Sequence, residues 1–321
     1  MAIDLGLDVV RLNSPGDAGP LNNATTLLAR SFDGEEWSAV TEATFFTAPP
    51  ASAENLVISE IYYNPPGQNE TTEYLELMNV SDETISLAGV VLEGGITFAF
   101  PDDATLEPHS RLILVTDPGA FEQLFGPGLP VAGVFSGQLS NGGENLRLIA
   151  ADGAVIQDFS YHDRLPWPEL SDGDGFSLTL IAPGQNPDGG SAVNWRASLT
   201  PGGSPGSSDH RPFTGSTSGD LLAYALVDPL DGISASLQTL ENNGSIDNYL
   251  VATVTTNTAI DDAEISLEFS ADLITWQSGS AVYLGSNRPS PEVSVRNWRA
   301  PTPVTAANPL RYARLVLTAR P

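Results

Sequence analysis

The chain has 321 residues, of which 41% are hydrophobic and none is cysteine. Its formal net charge is −27, because 40 acidic residues face 13 arginines and there is no lysine. This charge excludes nucleic-acid binding by phosphate neutralisation, disfavours anionic membrane surfaces, and is typical of proteins that stay soluble in a salty or extracellular medium. The lack of cysteine excludes a disulfide framework and thiolate metal sites.

The distribution of glycine and proline favours an all-β fold. The 30 Gly and 25 Pro lie between apolar runs and not in tracts, so they separate strands and do not indicate disorder. Only residues 118–125 show a helical period. No run of 18 apolar residues is present, and the start MAIDLGLDVV lacks the basic and apolar regions of a secretory signal. We therefore expect neither membrane insertion nor a signal peptide within this sequence.

Residues 1–50 contain two predicted strands, 25–32 and 38–46, joined by a turn at Asp33-Gly34, which is a strong hairpin signal. A lone hairpin is marginal in water, so it must pack on something or be part of a larger domain. The string ATTLLARSFDGEEWSAVTEATF resembles the last strands of the β-sandwich at the C-terminus of chitobiase and hexosaminidase enzymes. This resemblance implies a partial sandwich, and hence a chain that is the C-terminal part of a larger secreted protein.

Residues 55–206 form the central predicted domain. The segment Leu56–Tyr62 alternates like a half-buried strand, and Asn64-Pro65-Pro66-Gly67 ends it because proline cannot donate to a strand ladder. A second strand follows at 73–80 and a third at 85–92. Further short apolar runs, separated by turn signals, bring the number of predicted strands to between seven and nine. This number predicts a sandwich of two sheets.

Several motifs of this domain occur in the order found in bacterial lamin-tail domains, which the segment resembles. They are Ile58-Ser59-Glu60-Ile61, Glu73-Tyr74-Leu75-Glu76-Leu77, Ile85-Ser86-Leu87-Ala88-Gly89, Leu139-Ser140-Asn141-Gly142-Gly143, Trp167-Pro168, Gly173-Asp174-Gly175-Phe176 and Asn194-Trp195-Arg196. The resemblance implies an immunoglobulin-like sandwich that is not known for catalysis.

After a Gly/Ser-rich linker at 207–219, residues 220–321 again show short strands, the first of them predicted at 221–227. Their spacing predicts a second sandwich, so the expected fold is a tandem of immunoglobulin-like β-sandwiches. The segment 268–276, EFSADLITW, resembles a hairpin of C-terminal modules in large bacterial surface proteins.

Two carboxylates, Glu60 and Glu76, lie on adjacent predicted strands. Paired carboxylates are what glycoside hydrolysis needs. The alternative is a structural role in which they accept backbone N–H bonds or pair with Arg111, Arg147 or Arg196. Two buried acids without partners would be costly, so we favour the structural role and expect no enzymatic activity.

Two other pairs are candidate binding residues. Trp167, flanked by prolines and close to Tyr161, could form an exposed aromatic platform that stacks a sugar, or could close one end of the sandwich. Asp172 and Asp174 resemble part of a calcium loop, although the place of the bidentate Glu of an EF-hand is taken by Pro183. A tight turn is the alternative.

These observations predict a non-catalytic interaction or spacer module of a large secreted or cell-surface bacterial protein, whose partner is a protein or polysaccharide at the cell surface. A carbohydrate-binding accessory region of an extracellular enzyme and a calcium-dependent adhesion module are the alternatives. No cofactor is expected, apart from calcium in the last case.

Overall fold

The computed structural model describes residues 2–5, 8–11, 25–30, 34–45, 48–67 and 69–320. Within these ranges the protein is built from short and medium-length strands with two helices of eight residues each, which confirms the predicted all-β class. No helix in this part of the chain has the length and apolar character needed to cross a membrane.

The N-terminal segment forms an antiparallel sheet of four strands. Its members are β1 (Ala2–Leu5), β2 (Asp8–Arg11), β3 (Thr25–Arg30) and β4 (Thr41–Phe45), in the spatial order β2-β1-β3-β4. The predicted hairpin is the β3–β4 pair, in which Thr25 lies opposite Phe45. Its predicted turn residue Asp33 lies outside the described residues. β1 and β2 were not predicted.

The central region contains thirteen strands and one helix among the described residues. They are β5 (Leu56–Tyr62), β6 (Tyr74–Asn79), β7 (Ile85–Ser86), β8 (Val91–Gly94), β9 (Ile96–Ala99), β10 (Thr105–Leu106), β11 (Arg111–Val115), α1 (Pro118–Phe125), β12 (Val131–Val134), β13 (Ser136–Gly137), β14 (Asn145–Ile149), β15 (Val155–Ser160), β16 (Leu178–Leu180) and β17 (Trp195–Ala197). The helix occupies the predicted residues, because the Asp117 side chain caps its first turn and a proline stands at its start.

These strands form a sandwich of two main sheets. One has six strands in the order β12-β11-β6-β5-β16-β17, and the other has five in the order β13-β9-β8-β14-β15. The core between them is aliphatic and aromatic, with Leu56, Ile58, Leu77, Leu92, Leu146 and Trp195 almost fully buried. A smaller cluster on the outer face of the six-stranded sheet includes Tyr62, Tyr74 and Phe121 of α1. Because both faces are covered, β5 is buried along its whole length and not half-buried as its alternation predicted.

The C-terminal region begins with a helix and continues as a second sandwich. Its elements are α2 (Ser218–Ala225), β18 (Ile233–Asn242), β19 (Ser245–Asn257), β20 (Ala263–Ser270), β21 (Trp276–Gln277), β22 (Val282–Ser290), β23 (Val293–Arg299) and β24 (Tyr312–Ala319). One sheet has the order β18-β19-β23-β22 and the other β21-β20-β24. They enclose a core that includes Leu250, Val254, Leu267, Phe269 and Trp298.

The first predicted strand of this region, 221–227, is wrong, because residues 218–225 are helical. Thr217 and Asp220 form a capping box, in which each side chain bonds the backbone of the other residue. Leu221 and Ala225, one helical turn apart, are the buried residues of α2.

Candidate functional site

Trp167 and Tyr161 lie in the core of the central sandwich. Trp167 is 4% exposed and its ring centroid is 6.1 Å from that of Trp195. Tyr161 is fully buried, and its hydroxyl donates to the carbonyl oxygen of Ser140 at 2.9 Å. The exposed platform considered for Trp167 is therefore not formed, and both rings pack within the sandwich core, which fits the alternative that the sequence left open. Sugar binding by this pair stays a prediction.

Asp172 and Asp174 occupy an exposed bend that follows a short 3-10 turn at Glu169–Ser171. The Asp172 carboxylate accepts a hydrogen bond of 2.7 Å from the Asn64 side chain and so fastens the bend to the loop after β5. Among the described residues, no group of three or more His, Asp or Glu side chains is placed to hold a metal ion. The calcium site remains a prediction that the structure does not test.

Addition of millimolar calcium should leave the melting temperature of the protein unchanged, because Asp172 already has a partner and calcium needs six or more oxygen ligands. Thermal unfolding with calcium or with magnesium measures this. A rise specific to calcium, and lost in Asp174→Asn, would instead establish the site.

Glu60 lies at the centre of β5 and is 1% exposed. Its carboxylate accepts hydrogen bonds from the Ser177 hydroxyl and, at 2.8 Å, from the backbone N–H of Ser204. Burial raises the pKa of Glu60 above its ordinary value. The side chain thus holds the segment that leaves the sandwich after β17 against the middle of the sheet, and is out of reach of a substrate.

Glu76 stands directly opposite Glu60 on the neighbouring strand β6 and is equally buried. It accepts from the Ser59 hydroxyl at 2.7 Å and from the Gly206 backbone N–H at 2.7 Å, and pairs with Arg111 at 3.0 Å. Burial and the nearby Glu60 raise its pKa to about 8, against the opposing effect of Arg111. The structural role predicted for the pair fits this geometry, as does Arg111 as a partner.

The other two predicted arginine partners are wrong. Arg147 pairs with Asp158, and Arg196 pairs with Asp209 and Asp261. A third buried acid, Glu73, accepts a hydrogen bond of 2.9 Å from the Leu139 backbone N–H, and burial raises its pKa to about 8. Burial also raises the pKa of Glu144, so the sandwich contains four carboxyl groups that bind protons more tightly when folded.

Gly203 is required where the chain crosses this cluster. Its φ of +86° belongs to the left-handed region that favours glycine. A β-carbon there would overlap the Tyr74 hydroxyl and the Glu60 carboxylate. The close approach of this backbone to the sheet is what allows Glu60 and Glu76 to bind the residues on either side of it.

Arg196 on β17 connects the two sandwiches. Its Nε and Nη2 donate to the two carboxylate oxygens of Asp261, each at 2.8 Å, and Nη2 also contacts Asp209 at 2.6 Å. All three side chains are buried or nearly so. Burial alone would lower the pKa of Arg196, but the two carboxylates outweigh it and the pKa is raised. The same guanidinium lowers the pKa of Asp209 despite the opposing effect of burial.

Further contacts join the sandwiches beside this ion pair. Arg288 of β22 donates to the carbonyl oxygen of Ser198 at 2.6 Å and lies 4.3 Å from the ring centroid of Phe176. A β-carbon at Gly285 would overlap the Leu165 side chain and lie 3.3 Å from Pro166, so β22 passes against the loop before Trp167. The two sandwiches are therefore connected by direct contacts as well as by residues 207–219, which were predicted as a linker.

A cavity of about 230 Å³ lies at this junction. Its charged lining residues are Arg196, Arg288 and Arg296, with Glu169 and Asp174 also present. Asp174, predicted as a metal ligand, is thus brought to a cavity, whereas Tyr161, Trp167 and Asp172 do not line it. Sequence reasoning missed the three arginines as a group. The available signal was the concentration of six of the 13 arginines at and after Arg288 in an otherwise acidic chain.

Comparison with known proteins identifies the central region. The family model described as Lamin Tail Domain matches residues 49–163. It ends before β16 and β17, which complete the six-stranded sheet, and includes none of the N-terminal sheet, so the resemblance to the chitobiase domain stays a prediction. A search of curated proteins finds no match for the chain. The chain contains an immunoglobulin-like lamin tail domain over residues 49–163.

Proposed function

We propose that the protein is a non-catalytic spacer and interaction module of a large secreted or cell-surface bacterial protein, and that its two sandwiches act as one rigid unit. The observation that carries this proposal is the buried connection of Arg196 with Asp209 and Asp261. A flexible tether would need no such connection. Domain interfaces that are small and polar usually allow relative motion, whereas a desolvated ionic network fixes one arrangement at the cost of desolvation.

The acidic residues support a non-catalytic role. Glu60 and Glu76 resemble the paired acids of a hydrolase in sequence, but each is 1% exposed and accepts hydrogen bonds from the protein itself. A general acid or base must reach the proton that it transfers. The net charge of −27 fits an extracellular setting, in which a protein or polysaccharide at the cell surface would be the partner.

Measurement of the distance between the two sandwiches tests rigidity. The chain has no cysteine, so spin labels can be placed at Asp102→Cys and Glu264→Cys, both exposed and on different sandwiches. Double electron–electron resonance on the full chain should give one narrow distance distribution. The same pair combined with Arg196→Ala should give a broad one, because the buried connection is lost.

The matched control combines the labels with Arg147→Ala, which removes a partly exposed ion pair inside the lamin tail domain. Its distribution should stay narrow. A broad distribution in the protein with native Arg196 would contradict the rigid spacer and favour two independently moving domains.

A further inference from the structure

The cavity at the junction of the sandwiches contains two cationic groups without anionic partners. Arg196 is saturated by Asp209 and Asp261, but Arg288 and Arg296 form no ion pair with any carboxylate of the described residues. In a chain with three times as many acids as bases, two such guanidinium groups at one cavity are unexpected. Their planar arrays of N–H donors match the geometry of a carboxylate.

Arg296 is the inner of the two groups. It shares a face of β23 with Ser294 and Trp298, both of which are buried, and it lines the cavity together with Ser294. Burial and the nearby Arg196 lower the pKa of Arg296, while Tyr283 and Asp261 partly oppose this change. Burial also lowers the pKa of Arg288. A negatively charged ligand in the cavity would stabilise the charged form of both arginines and so raise their pKa values again.

The rest of the lining limits the charge and size of a ligand. Glu169 and Asp174 are exposed at the mouth and would repel anions of higher charge. Ser286, Asn287 and Ser294 add neutral hydrogen-bonding side chains. The volume of about 230 Å³ is below the range usual for drug-sized ligands, so a molecule of monosaccharide size is the appropriate scale.

We propose that this cavity binds a small hydroxylated monocarboxylate, a sugar acid such as one uronic acid unit, with its carboxylate on Arg288 and Arg296 and its hydroxyl groups on the neutral side chains. This proposal goes beyond the spacer role and does not depend on it. Ligand binding can be measured whether the two sandwiches are rigidly connected or move relative to each other.

Titration of the full chain with D-glucuronate tests the proposal, read by calorimetry and by the fluorescence of Trp195, which lines the cavity. We expect saturable binding with one site, and at least tenfold weaker binding of neutral D-glucose and of inorganic phosphate. Arg296→Gln should weaken glucuronate binding about tenfold or more, since a charge-assisted hydrogen bond is lost. Arg296→Lys, which keeps the positive charge, should weaken glucuronate binding less than Arg296→Gln does.

Arg311→Gln is the matched control, because Arg311 is exposed and lies outside the cavity. It should bind glucuronate like the unmodified chain. Absence of glucuronate binding to the unmodified chain overturns the proposal whatever the variants do. Equal or tighter binding of glucose or phosphate, or equal loss in the Arg311 variant, overturns it as well. Melting temperatures of the variants show whether each one is folded.

Discussion

Arg196→Ala is expected to lower the free energy of unfolding by about 3–5 kcal/mol, the effect typical of removing one partner of a buried ion pair. The reason is that Asp261, which is 4% exposed, would lose both hydrogen bonds from the guanidinium with little water to replace them. Because Arg196 connects the two sandwiches, their unfolding should also separate into two transitions. Urea unfolding followed by tryptophan fluorescence and by circular dichroism measures both effects.

Arg147→Ala provides the control for this variant. The pair of Arg147 with Asp158 is 3.5 Å long and nearly half exposed, so its loss should change the free energy of unfolding by less than about 1 kcal/mol. If Arg196→Ala cost no more than this control, the connection between the sandwiches would not be energetically important. A single transition in the variant would likewise contradict the coupling described here.

Raising the pH from about 4.5 to 8 is expected to destabilise the protein. Glu60, Glu73, Glu76 and Glu144 have raised pKa values when folded, about 8 for Glu73 and Glu76, so the folded chain holds more protons than the unfolded chain in this interval. Stability then falls as the pH rises and is fully present only below the ordinary glutamate pKa. We expect a loss on the order of 3 kcal/mol, from urea unfolding at a series of pH values.

Glu76→Gln should remove a part of this decline, roughly a quarter if the four carboxyl groups contribute equally. The amide keeps an oxygen that can accept from the Gly206 backbone N–H, so the variant should fold. Glu264→Gln, at an exposed position, should retain the full pH dependence. A Glu76 variant with unchanged pH dependence would show that Glu76 ionises normally in the folded protein.

The strands of the sandwich could be predicted from the sequence because each one is indicated by a pattern of neighbouring residues. Alternating apolar residues, proline breaks and Asp-Gly turns act over a few residues, and they indicated the strand pairs around Glu60 and Glu76 and the hairpin of β3 and β4. The helix Pro118–Phe125 was recognisable from its period. Helix α2 was missed although leucine and alanine favour helices, because its apolar run was interpreted as a strand and its capping residue Thr217 was assigned to the linker.

The junction between the sandwiches could not be predicted in the same way. The contact of Arg196 with Asp261 joins residues that are 65 positions apart in the sequence, and the contact of Arg288 with Ser198 joins residues 90 positions apart. Neither contact corresponds to a short sequence motif from which it could be predicted. The same limit explains the error at Trp167, whose flanking prolines indicated a loop but could not show that Trp195 lies against it in the core.

The bond between Glu60 and Ser204 also determines how the domain would transmit a pulling force. β5 is the strand by which the chain enters the central sandwich, and Ser204 belongs to the segment by which it leaves that sandwich. Tension applied at the two ends would pass from β5 through this carboxylate to the exit segment, and Arg196 ties that segment at Asp209 to the second sandwich at Asp261. β16 and β17 lie beside β5 in the same sheet, so their backbone hydrogen bonds would share this load with the polar side-chain contacts.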